Sequence, residues 1–248
     1  MIKTILKAWL ENTVGRMNES EKTCKCKYCE KLFRKESTLV AHLCEPKRRW
    51  QQEKEVGVQL GLKSYLRFYE VTQGSAKLKS YADFINSSYY GAFIKYGRYC
   101  QSIRCINFTN FTDWLLRNNK KIDHWCKDSM YEEWLLEYLK KEAVQDALER
   151  ALNEMLTYAE DHPELKNGFN DYFRYGNGNR ILYHISTGRI SPWVVYNCAS
   201  GVEFLGSLTE EQVGIILPYI DPDHWQRKFN DYLADTEWTK DTLSKAGL

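Results

Sequence analysis

The residues with the greatest chemical potential crowd near the N-terminus: Cys24, Cys26, Cys29, His42 and Cys44, which include four of the chain's eight cysteines. Thiolates mixed with imidazole suit an ion that accepts tetrahedral sulfur and nitrogen donors and has no redox chemistry of its own, which is Zn2+. Disulfides are the competing use of such a cluster. The opening segment, residues 1–10, reads as an amphipathic helix without the long apolar centre and small-residue cleavage site of a secretory signal. The expectation is therefore a chain that stays in a reducing, cytoplasmic compartment and uses its clustered cysteines for metal. Cys100, Cys105, Cys126 and Cys198 are scattered among apolar and aromatic neighbours and read as buried free thiols.

The spacing is more specific than a pair of cysteines. Cys26-Lys27-Tyr28-Cys29 is followed after twelve residues by His42, with Phe33 just past the second cysteine and Leu39 just before the histidine. Over residues 24–44 this resembles the two-cysteine, two-histidine zinc fingers. The resemblance implies a ββα-like module in which the cysteines sit on a tight β turn, the histidine sits on the following helix, and Phe33 and Leu39 form a small core stapled by the metal. The departure is the fourth ligand, because Pro46, Lys47 and Arg48 stand where the family places its second histidine. Cys44 is the preferred replacement, provided the helix unwinds by Leu43; Glu45-Pro46 favours such an ending, since the residue before proline avoids the helical region. Cys24 is the alternative. Four protein ligands, Cys26, Cys29, His42 and Cys44, would close the site and make it structural.

Charge suggests what such a module meets. Residues 1–104 carry 20 Lys and Arg against 10 Asp and Glu, a balance of +10, whereas residues 105–248 carry 15 against 23, a balance of −8. A basic front half favours phosphate backbones, and an acidic rear half suits contacts with other proteins. Lys22, Lys25, Lys27, Lys31, Arg34 and Lys35 surround the cysteines, and Lys47-Arg48-Arg49-Trp50 follows them. The finger helix is expected to start near Lys35, Glu36 and Ser37, so Lys35 and Ser37 would reach base edges if that helix entered a major groove. Lys47, Arg48 and Arg49 would supply phosphate contacts, and Trp50 would stack on a base or on the protein's own core. The leading expectation is a nucleic-acid-binding protein, with DNA ahead of RNA. The alternative is an adaptor that docks host or phage proteins through the finger and the acidic helices.

Enzymatic signals are weak. No phosphate-binding loop, dinucleotide fingerprint or nucleophile elbow occurs. Asp123-His124 and the Asp221, Asp223, His224 group read as helix caps and turns, and the Thr187-Gly188-Arg189 and Asn197 to Gly201 segments are weak candidates for holding a phosphate. Several phrases, Cys44 to Trp50, Tyr65-Leu66-Arg67-Phe68-Tyr69, Phe93 to Tyr99, Gly188 to Trp193 and Ile220 to Trp225, are similar to a family of uncharacterised proteins of large tailed bacteriophages. That resemblance implies a phage product acting in the bacterial host cytoplasm, in DNA metabolism, transcription or assembly, and carries no catalytic residues.

The elements that must position these groups are expected to be mainly α, in four parts: an N-terminal helix (1–21), the zinc finger (22–49), a helical body (50–165) and a small C-terminal part (166–248) with one β-hairpin. Helices are predicted from about residue 56 to Gly74, around 81–103 and 109–118, and as one long amphipathic stripe over 128–160 closed by His162-Pro163. Arg180 to Ile185 and Pro192 to Tyr196, β-branched and aromatic runs around Thr187-Gly188-Arg189, predict the hairpin. Helices are then expected up to Gly206, over 210–219, after Asp221-Pro222 and over 235–246. No run of about 20 apolar residues that would span a membrane is present.

Overall fold

The computed structural model describes residues 23–74 and 78–248. The expected helix over 1–21, and Lys22, lie outside the described residues. The chain divides into two compact units, with the boundary between Gln101 and Ser102. This differs from the four-part division expected: the boundary expected between residues 165 and 166 lies inside the second unit, and the break at Gln101 falls next to the end of an unbroken helix, where composition gives no sign of it.

In the first unit, two short antiparallel strands, β1 (Cys24–Lys25) and β2 (Leu32–Phe33), pair Cys24 with Phe33 and Lys25 with Leu32. Helices α1 (Glu36–Ala41) and α2 (Glu45–Gln51) follow, then α3 (Val56–Gln73), α4 (Tyr81–Asn86) and α5 (Tyr90–Ser102). Gly74 ends α3 at φ 74°, a left-handed value that glycine adopts without strain. The segment 81–103, expected as one helix, is two. Ser80 and Asp83 form a capping box that starts α4, and the chain turns at Ser87 before α5 begins. Val58, Tyr65, Phe84, Phe93 and Tyr96 form the core, with Tyr65 packed edge-on to Phe93.

The second unit is helical among its described residues: α6 (Phe108–Arg117), α7 (Asp128–Lys141), α8 (Val144–Asp161), α9 (Tyr172–Tyr175), α10 (Gly178–Ser186), α11 (Pro192–Asn197), α12 (Ala199–Gly206), α13 (Glu210–Ile220), α14 (Pro222–Asp231) and α15 (Leu233–Lys245), with short 3-10 turns at Ile122–His124 and Gly168–Asp171. Helix α8 buries Val144, Ala147, Leu148, Ala151, Met155 and Tyr158, an i, i+3, i+4, i+7 stripe laid against α11 and α15. Trp125, Trp134, Trp193 and Trp225 are almost wholly buried. The stripe expected as one helix over 128–160 breaks at Glu142, whose backbone is extended (ψ 151°). Its carboxylate turns inward to accept two hydrogen bonds from Arg150, at 2.6 and 2.8 Å, and one from Ser191 at 3.4 Å.

The C-terminal hairpin expected over residues 180–196 is absent; both runs are helices, α10 and α11. The physical reason lies in the caps. The Asn177 side chain accepts from Arg180 N–H, and the Ser191 side chain accepts from Trp193 N–H with Pro192 in the first turn, so each run has a helix start. Within α10 the buried residues are Ile181, Leu182, His184 and Ile185, a helical period that outweighs the β preference of isoleucine and tyrosine. The mainly α reading and the small N-terminal hairpin hold. The later helices start where Thr209 with Gln212, and Asp221-Pro222, indicate.

Candidate metal centre

Between the strands the chain makes a tight knuckle: Cys26 N–H donates to Lys31 O, and Glu30 N–H donates to Cys26 O, with Glu30 at φ 63°. The knuckle turns the backbone N–H groups of Cys29 and Tyr28 toward the Cys26 sulfur, and these bonds draw the Cys26 thiol down to about 7. Lys31 N–H pulls Cys29 the same way, but desolvation and the neighbouring Cys44 and Cys26 thiols outweigh it and raise the Cys29 thiol. Of these two thiols, Cys26 therefore ionises the more readily.

From β2 the chain enters α1, whose N-cap is Lys35. The helix stops at Ala41, earlier than an unbroken finger helix would. His42 is already extended (ψ 120°), with its N–H bonded to Leu39 O. Lys47 Nζ donates to His42 O at 3.0 Å and to Val40 O at 3.3 Å, satisfying carbonyls that the ended helix leaves open. This early stop brings Cys44, the N-cap of α2, round to the knuckle. The cluster is then Cys26, Cys29, His42 and Cys44, with all four donor atoms within 4.8 Å of one another. Cys24 is not among them; it sits on β1 opposite Phe33. Phe33 and Leu39 are half-buried, and the Phe33 ring lies 4.7 Å from the His42 ring. So small an apolar core cannot hold the fold alone.

The donor set fits a tetrahedral ion. Zinc with sulfur at about 2.3 Å and nitrogen at about 2.0 Å requires S···S edges of roughly 3.8 Å and S···N edges of roughly 3.5 Å. The Cys26–Cys44 sulfurs are 4.0 Å apart, slightly longer than the S···S edge, and Cys29 Sγ is 3.2 Å from His42 Nε2, slightly shorter than the S···N edge. Four protein donors at these separations are compatible with a zinc-type site.

The other residues singled out in the sequence have varied settings. Lys35 and Ser37 are exposed at the start of α1. Arg48 pairs with Glu45, about half-exposed. Arg49 is more committed to the fold: it bonds Glu45 and the Ile85 carbonyl, and its guanidinium lies 4.2 Å from the Tyr90 ring centroid. Lys47 serves the finger carbonyls, and the Trp50 ring meets Tyr81 edge-on at 5.1 Å. Arg48, Arg49, Lys95 and Arg98 line a cleft of about 460 Å³ in the first unit. Lys95 and Arg98, half the chain's basic cleft residues there, carry no motif; only the helical packing of α2 against the α4–α5 region collects them. Asp123 and His124 are exposed, and Asp221 caps α14 through Asp223 N–H.

The chain is thus a mainly helical protein with a Cys3His candidate metal centre on a small β-hairpin module. Comparison with protein-family models, curated proteins and solved structures returned no match. Among the described residues, no helix is long and apolar enough to cross a membrane.

Proposed function

We propose that the first unit is a zinc-stapled module that binds nucleic acid through its phosphate backbone, with DNA the leading partner. The observation that carries the reading is the convergence of Arg48, Arg49, Lys95 and Arg98 on one cleft, with Arg48 and Arg49 on the helix that Cys44 opens. Glu45 and Glu55 offset part of this charge, while Lys95 faces the cleft and is exposed. Exposed Lys25, Lys27, Lys31 and Lys35 extend the basic surface over the knuckle and the start of α1. Clustered cations of this kind gain affinity by releasing counterions from phosphates, which requires no base contacts. The resemblance to phage proteins agrees with a role in DNA metabolism or transcription in a bacterial host.

The test is the salt dependence of binding to duplex and single-stranded DNA and RNA. Replacing Arg48, Lys95 and Arg98 with Ala should weaken binding to all sequences alike and flatten the slope of log affinity against log salt by up to about three units, roughly one per lost phosphate contact. Metal content should stay the same. A change at Lys35 or Ser37 should alter preference among sequences only if α1 enters a groove. Absence of binding at ~50 mM salt, where sequence-independent attraction is strong, would overturn the reading.

One observation favours a second reading. Leu32, Val40 and Leu43, on the same module, are 60%, 71% and 62% exposed, and exposed apolar side chains of this kind suit docking on another protein. If nucleic acid does not bind, the module is an adaptor.

A further inference from the structure

The second unit holds a polar cleft of about 610 Å³ between α8 and the start of α10, within the size range of small-molecule sites. At its floor His184 is 1% exposed. His184 Nδ1 lies 2.7 Å from the Tyr172 hydroxyl. Burial keeps Tyr172 protonated well above the usual phenol range, and burial with Arg180, Arg189 and Arg104 nearby lowers His184 to about 3. With Tyr172 O–H assigned as the donor to Nδ1, the neutral ring carries its hydrogen on Nε2.

That Nε2 has no hydrogen-bond partner among the described residues. The neighbouring Glu154 Oε1 is 3.4 Å away, and both Glu154 oxygens accept from Arg104, at 2.9 and 3.2 Å. Arg189, 4% exposed, stands behind with its Nη1 3.8 Å from the same carboxylate and its Nε unbonded. A buried donor left open costs free energy unless something accepts from it.

The rim supplies the rest of an anion site. Arg180 is exposed on the lining, and no carboxylate partner for it occurs among the described residues. The N–H groups of Gly178 and Asn179 open α10, where no preceding carbonyl within the helix can reach them. Tyr158, edge-on to His184 with ring centroids 6.2 Å apart, stacks on His162 at 3.9 Å; Tyr158 is buried and His162 half-buried, so the His162 ring is the one a planar ligand ring can meet. Asp161, also on the lining, can accept from ligand hydroxyls. The cleft has room beyond an inorganic anion, so an anionic group carried on a larger molecule fits it.

We propose that this cleft binds a nucleotide through its phosphomonoester, the phosphate lying between Arg180, the first turn of α10 and His184 Nε2–H, and the base against the His162 ring. The phosphomonoester is either that of a free nucleotide or the phosphorylated end of a nucleic acid. The site lies wholly in the second unit and does not depend on the metal centre or on the basic cleft of the first.

Calorimetric titration of the full chain with adenosine monophosphate, adenosine and inorganic phosphate tests this. The monophosphate should bind saturably and at least about tenfold more tightly than adenosine or phosphate, the worth of one good charge-assisted contact. Arg180→Ala, an exposed change that should leave the thermal midpoint unaltered, should erase most of that preference. His184→Phe, checked for retained fold by its helical signal, should weaken the monophosphate and not adenosine. Competition by a terminally phosphorylated oligonucleotide, but not by its hydroxyl-ended counterpart, would assign the ligand to a nucleic-acid end; competition by neither, with monophosphate binding intact, would assign it to a free nucleotide. Equal binding of monophosphate and adenosine, no binding at ~10 mM, or an unchanged preference in Arg180→Ala would overturn the proposal.

Discussion

The choice between Cys44 and Cys24 turns on the backbone of His42, where an extended ψ of 120° lets the chain double back and present the Cys44 sulfur 4.0 Å from that of Cys26. Loss of that thiolate removes both a bond and a neutralising charge. Cys44→Ser should therefore weaken metal binding far more than Cys24→Ser, as competition with a chromophoric chelator would read out; the reverse order would assign the fourth position to Cys24. The clustering of Cys26, Cys29, His42 and Cys44 was legible because type and spacing restrict it. His184 was not, because its setting needs Glu154 and Arg104, distant in the chain, beside the nearer Tyr172, Arg180 and Arg189. Its titration is a second test at this scale. With a folded value of about 3 against the ordinary 6.5, the unfolded chain binds a proton in that window that the folded chain does not, so stability is full above pH 6.5 and falls as the pH drops. The loss is at most about 1.4 kcal/mol per pH unit. Denaturant midpoints at pH 7 and 5.5 should diverge for the wild type, and less so for His184→Gln; an equal divergence would mean that His184 titrates normally.

Between elements, backbone contact and buried charge carry information that hydrophobic period does not. A Cβ built on Gly97 of α5 would lie 2.1 Å from Gly57 O and 2.5 Å from Gly61 N of α3, so the two helices touch through their backbones. Gly97→Ala should push them apart and destabilise the first unit by about 1–3 kcal/mol or more, seen as a lower thermal midpoint; Gly91→Ala, at a position with open space, is the control. In the second unit, the Glu142 side chain is 0% exposed and that of Arg150 is 15% exposed. Burial raises the Glu142 carboxyl despite Arg150, while Arg150 is itself held up by Glu142 against its own desolvation. Such a pair adds little net stability, but removing one partner strands the other. Glu142→Ala or Arg150→Ala alone should each cost about 3–5 kcal/mol in chemical denaturation, and an apolar double replacement should recover much of it. Additive losses would show that the charges act independently. The same pair explains why the 128–160 stripe was legible as apolar and helical while its break was not: Glu142 reads as one more solvated glutamate until Arg150 is seen opposite. At 180–196 the β-branched residues point to strands, while the Asn177 and Ser191-Pro192 caps start helices.

Across the whole molecule, hydrophobic period revealed the mainly α class and composition the charge imbalance, but neither showed the division at Gln101, because the two units are separated by contacts and not by a linker of distinctive composition. That division has a measurable consequence for metal removal. The module from β1 to α1 has no side chain in α1 that is fully buried and only the half-buried Tyr28, Phe33 and Leu39 beside the cysteines, so its order would rest on a bound metal, worth on the order of 10 kcal/mol to a finger of this size. The rest of the first unit has its own core of Tyr65, Phe84, Phe93 and Tyr96, and the second has its buried tryptophans. Purified protein should contain one zinc per chain by elemental analysis, and Cys26→Ser or His42→Ala should abolish it. A chelator should open residues 23–44 to proteolysis and hydrogen exchange while leaving most of the helical circular dichroism and the tryptophan fluorescence in place. Arg49 ties α2 to Ile85 and Tyr90, and Tyr81 O–H donates to the Arg49 carbonyl. Exchange protection should therefore persist in α2 from about Arg48 onward and mark the limit of the melted segment. Loss of the entire helical signal on chelation would mean that the metal holds the first unit's core as well as the knuckle, and protein with well under one zinc that still protects residues 23–44 would mean that it holds neither.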